Sequence, residues 1–93
     1  MNQLVLSVQL LERGAMRYTP AGLAALDLVL GHASQVSEAG QPRKVALELR
    51  GVAIGAIVET LDQHGIGSSF EASGFLSAQR NGRGVVFHIT QLH

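Results

Sequence analysis

The chain has no cysteine and no tryptophan, and its aromatics amount to one tyrosine and three phenylalanines. The absence of cysteine excludes disulfides, thiolate metal sites and cysteine nucleophiles. Charge is also scarce. Only 15% of residues are charged, and seven basic residues balance seven acidic ones. Such a balance argues against a surface that is basic all over, but it permits a local basic patch. The longest apolar run, Val52 to Val58 with Gly55 inside it, is far short of the ~20 residues that a membrane span requires. Met1-Asn2-Gln3 lacks the basic start and apolar core of a signal peptide, so a cytoplasmic location is expected. With 46% hydrophobic residues the chain is too apolar for disorder. Its 93 residues fit one small domain, residues 1–93. A chain of this size buries only ~60–65% of its unfolded surface, which makes a dimer contact valuable.

What is present is period-two alternation punctuated by eleven glycines. Leu4, Leu6, Val8 and Leu10 share one face of a first strand, whose other face is also partly apolar through Val5 and Leu11. Thr19-Pro20-Ala21-Gly22 reads as a turn, with proline presetting φ at the second position and glycine favoured at the fourth. A second strand is expected from about Leu23 to Ala33, and Ser34 to Pro42 as a polar, mobile loop. A third strand covers Arg43 to Arg50. The period changes at Gly51. Val52, Ile54, Ile57, Val58 and Leu61 recur at helical spacing, with Gly65 suited to a left-handed C-cap. A fourth strand spans Ser68 to Ala78, and Gly74 within it marks a bulge or tight bend. Asn81-Gly82 is a strong hairpin signal before the last strand, Val85 to Leu92. The order β-β-β-α-β-β is that of an all-β OB-fold, a five-stranded Greek-key barrel with one short helix between strands three and four.

Several segments carry a resemblance: Asn2-Gln3-Leu4-Val5-Leu6-Ser7, then Arg17-Tyr18-Thr19-Pro20-Ala21-Gly22, then Leu26-Asp27-Leu28-Val29-Leu30, and later Ser69 to Leu76. In order and spacing, over about Asn2 to Leu92, they resemble the bacterial single-stranded-DNA-binding protein family. Glu38-Ala39-Gly40, Leu30-Gly31-His32 and the end of the chain after the fifth strand look most like the primosomal branch of that family. The resemblance implies a homodimeric OB-fold protein of the replication-restart primosome. Such a protein binds single-stranded DNA and contacts the PriA helicase, helping to reload the replication machinery at stalled forks.

Binding to single strands requires cations along the phosphates and aromatic faces for the bases. The residues expected to meet nucleic acid are Arg17, Arg43, Lys44, Arg50, Arg80 and Arg83. Arg43 and Lys44 flank the start of the third strand, while Arg80 and Arg83 surround the Asn81-Gly82 turn. Both places border the ligand face of an OB-fold. Aromatics are the weak point. Primosomal members of the family carry stacking residues in and just after the loop before strand three, whereas Gln41-Pro42-Arg43-Lys44-Val45-Ala46 holds none. Phe70, Phe75 and Phe87 are expected to pack inside so small a core, and His88 to lie opposite Phe87 and Ile89. Binding should therefore lean on charge and depend strongly on salt. His32, His64, His88 and His93 lack metal-ligand spacing. Ser68, Ser69 and Ser73 have no identifiable base or oxyanion partner. No enzyme, metal or cofactor is expected. A protein-interaction adaptor whose OB face docks a helicase, with little DNA binding of its own, stays open as the other reading.

Overall fold

In the computed structural model, residues 1–80 and 82–93 are described. Alternation builds the strands β1 (Leu4–Arg13), β3 (Ala24–Glu38), β4 (Gln41–Ile54), β5 (Ser69–Ala78) and β6 (Val85–Leu92). Their inward positions, among them Val8, Leu10, Leu26, Leu28, Leu30, Phe87 and Ile89, form the buried core. β1 pairs antiparallel with both β3 and β5, β5 with β6, and β3 with β4. A short parallel pairing of β4 with β6 completes the ring. The result is a closed five-stranded barrel of the OB type, with a single short helix, α1 (Ile57–Asp62), between β4 and β5. Closure leaves few strand edges and lets a short chain enclose a core. No helix among the described residues is long and apolar enough to cross a membrane.

The structure departs from the sequence expectation in four places. The stretch Ser34 to Pro42, expected to be a loop, is β-ribbon. β3 and β4 stay paired out to Glu38 and Gln41, joined by Ala39-Gly40 alone. Both turn residues have positive φ, 52° and 77°, the conformation of a primed two-residue hairpin turn. Outside the barrel both faces of the ribbon meet water, so no alternation announces it. The period change is also later than expected. β4 runs through Val52 and Ala53, both buried, and α1 begins only at Ile57. The six residues of α1 have no side-chain N-cap bond, and Val58 and Leu61 hold the helix by packing into the core. Gly65 does not take positive φ. Gln63 ends the helix and Gly67 carries the left-handed conformation. Finally, Arg17–Tyr18 is a two-residue strand, β2, paired with the start of β3.

Two expected devices are in place. Gly22 N–H donates to the Thr19 carbonyl at 2.8 Å, closing the Thr19–Gly22 turn. At Gly74 the β5–β6 register shifts, and a Cβ there would lie 1.7 Å from the His88 carbonyl oxygen. Of the expected Asn81-Gly82 turn, Asn81 lies outside the described residues, while Gly82 has φ 74° and its N–H donates to the Gln79 carbonyl at 2.9 Å.

Candidate nucleic-acid interface

Barrel closure brings together residues that are far apart in the chain. β2 presents Arg17, the middle of β4 presents Arg50, and the exit of β5 presents Arg80. These three arginines line one groove of about 650 Å³, together with Asp27, Ser77 and His88. Its floor is the outer surface of β4 and β6, where Arg50 is opposite Val86 and Val52 is opposite His88. The floor is therefore formed by β4 and β6, each paired on both sides, while Arg17 comes from the edge strand beside β3 and Arg80 from the turn after β5.

Asp27 organises this site. Arg17 Nε donates to Asp27 Oδ2 at 2.8 Å and Arg17 Nη2 to Oδ1 at 3.0 Å, a bidentate fork. That hydrogen bonding holds the Asp27 carboxyl below the usual carboxylate range. The charges of Arg17 and Arg50 add to the effect, and partial burial opposes it. The same pair raises the Arg17 guanidinium above its ordinary value. Both side chains are about half exposed, so the pair is screened and adds little to stability. Arg50 and Arg80 form no ion pair among the described residues.

The other basic residues stand elsewhere. Arg43 and Lys44 are exposed on the ribbon, opposite Val36 and Gln35 of β3. Arg43 Nη1 donates to Glu38 Oε1 at 2.9 Å across the ribbon end. Arg83 is exposed in the β5–β6 connection and is not among the groove residues. Of the six basic residues singled out from the sequence, Arg17, Arg50 and Arg80 thus converge, and Arg43, Lys44 and Arg83 do not.

The aromatics divide as well. Phe87 is fully buried. Phe70 is half-buried and packs against the core, its ring centroid 4.8 Å from that of His64. Phe75, expected inside, is instead 38% exposed and stacked on His88. It was legible in principle, since it shares the face of Ser77 and not that of the core-packed Leu76.

The comparisons with known proteins agree with the OB-type barrel. The model of a single-strand binding protein family matches residues 2–91. The replication restart protein PriB of Bordetella pertussis is 46% identical over 92 residues, covering 98% of this chain and 86% of that protein. The chain belongs to the single-strand binding protein family, in its PriB branch. The replication restart protein PriB of Nitrosomonas europaea is 34% identical over 89 residues, covering 95% of this chain and 82% of that one. Among solved structures, PriB of Ralstonia solanacearum superposes with a TM-score of 0.92 at 33% identity, covering 100% of this chain and 96% of its own. The single-stranded DNA binding protein of Thermus aquaticus does so with a TM-score of 0.75 at 32% identity, covering 100% of this chain and 49% of its own. Membership of the PriB branch places the chain among non-enzymatic binding proteins.

Proposed function

We propose that this chain binds single-stranded DNA in replication restart, acting in the cytoplasm as one OB-fold domain of residues 1–93. The observation that carries the reading is the convergence of Arg17, Arg50 and Arg80, from three separate elements, on one groove of the barrel. Guanidiniums along a strand-floored groove suit a phosphate backbone, which they follow by charge and by bidentate hydrogen bonds. The names carried by the relatives, replication restart for PriB and single-stranded DNA binding for the Thermus aquaticus protein, support the same role. Arg43 and Lys44, exposed on the ribbon, and Arg83, exposed in the β5–β6 connection, are further cations outside that groove.

The proposed assembly is a homodimer. A second concavity, of about 820 Å³, lies across β1, β3, β4 and the start of β5 and includes Leu11, His32, Leu47 and Phe70. His32 is fixed there by Nδ1 at 2.7 Å from the Ser7 carbonyl oxygen and Nε2 at 2.8 Å from Ser34 Oγ. Leu47 is 43% exposed, and Val5, two residues before the lining residue Ser7 on β1, is 54% exposed. A second copy seated there would cover this apolar surface and double the number of basic grooves. Sedimentation equilibrium tests it, with twice the chain mass expected.

The second reading is an adaptor that docks the PriA helicase. It is favoured by the pairing of Arg17 with Asp27 and of Arg43 with Glu38, which neutralises part of the basic surface. Titration of a fluorescent oligo-dT at low and near-physiological salt separates the two. Salt-sensitive binding supports the first, and no binding at low salt leaves the helicase as the ligand.

A further inference from the structure

We propose that the outward face of the β5–β6 pair carries a nucleobase-stacking site formed by Phe75, with His88 as its backing. The site rests on the single-strand reading above and adds to its phosphate contacts a contact with the bases. Phe75 and His88 face each other across the antiparallel ladder. Their rings are nearly parallel, with centroids 4.6 Å apart and an interplanar angle of 9°. His88 is itself held by a hydrogen bond between Nε2 and Ser77 Oγ at 3.0 Å. The imidazole therefore covers one face of the phenyl ring and restrains its rotation. Phe75 as a residue remains 38% exposed at the barrel surface, so it is not sealed into the core as Phe87 is.

Position decides the ligand class. His88 is shared between the stack and the groove that Arg50 and Arg80 line. Ladder register puts Arg50 two strands across and two residues along from Phe75, by way of Val86 and Ser77. At standard strand spacing and rise that is roughly 12 Å between Cα atoms. An oligonucleotide held by its phosphates in the groove would thus bring a base over the phenyl ring. A base has a flat π-face whatever its identity, so the contact would be sequence-tolerant. It would also supply the aromatic contact that Gln41 to Ala46 of the ribbon lacks.

The test compares two fluorescein-labelled oligonucleotides of equal length, oligo-dT and an abasic strand that keeps the phosphates and removes the bases. Affinities are measured by anisotropy at low salt for the wild type, Phe75→Ala, Phe75→Leu and Phe75→Trp. The wild type is expected to favour oligo-dT by about 5- to 150-fold, the span of one base–aromatic stack. Phe75→Ala and Phe75→Leu should reduce that preference towards unity while abasic binding stays within about twofold. Phe75→Trp should retain it. Leucine keeps apolar bulk on the strand, so its result stands if the alanine variant fails to fold. A preference that survives Phe75→Leu overturns the proposal and leaves the single-strand reading intact, as does equal wild-type binding of both strands. Wild-type binding of neither strand overturns the single-strand reading and this site with it.

Discussion

Asp27 determines how much of the groove's positive charge is available to a ligand. It occupies Arg17 with both carboxylate oxygens, so a phosphate must compete for that guanidinium. Replacing the carboxylate with an amide removes a negative charge from a groove lined by three arginines. Asp27→Asn is expected to raise oligo-dT affinity by about 3- to 5-fold at low salt, with the gain shrinking as salt screens the groove. Anisotropy of the two proteins side by side checks it. The pH dependence follows from the same pair. Because folding lowers the Asp27 pKa, its small stabilising contribution is present above the unfolded value of ~3.9 and is lost as pH falls through the folded one. Any stability difference between wild type and Asp27→Asn should then persist from pH 5 to 7 and fade in acid. Gly74 is the opposite kind of residue, important for what it lacks. A methyl group there would meet the His88 carbonyl oxygen, a backbone atom that cannot step aside alone. Gly74→Ala should cost about 3 kcal/mol or more, read from the midpoint of urea unfolding. That glycine's role was legible in the sequence, because a glycine inside an alternating strand marks a bulge or a close backbone approach. Phe75 was equally legible, since its position assigned it to the polar face of the strand, but an expectation based on residue type overrode that pattern.

The ribbon is the element least visible in the sequence. Beyond the barrel β3 and β4 carry exposed residues on both faces, so the hydrophobic period that marks the rest of each strand disappears. The turn chemistry was there, with Gly40 preceded by Ala39, but alanine is a poor residue for φ 52°. Asparagine tolerates that conformation better and is favoured in primed turns. Ala39→Asn is therefore expected to stabilise the ribbon by roughly 0.5–1 kcal/mol. The effect should appear as slower amide exchange near Val36 and Arg43, with little change in global melting, since the ribbon contributes nothing buried to the core. Unchanged exchange there would show that the turn does not limit ribbon opening. α1 illustrates a different ambiguity. Val52 and Ile54 fit a helical spacing and an alternating one equally well, and tertiary pairing of β4 with β6 chose the strand. The barrel strands themselves were legible within a few residues wherever one face is buried and the other wet.

At the scale of the molecule, closure regroups the charge. Proximity along the chain suggested two basic pairs, Arg43 with Lys44 and Arg80 with Arg83. The barrel instead joins Arg17, Arg50 and Arg80, which no local pattern links. A neutral chain thereby presents a cationic groove on one face, while the ribbon contributes to a molecule 49 Å long and 29 Å by 21 Å in section. The glycine-punctuated alternation was enough to indicate the barrel. The composition of its groove depended on strand register, which the sequence does not display.

The most direct test of the groove as a single-strand interface is its salt dependence. Oligo-dT affinity would be measured across a salt series for the wild type and for Arg50→Ala/Arg80→Ala. If each groove arginine neutralises one phosphate, log K should fall with log salt with a slope of about −2 for the wild type, and the double substitution should flatten it by about 1.4. A wild-type slope near zero, or a slope and affinity that the double substitution leaves unchanged, would contradict the assignment of this groove to single-stranded DNA.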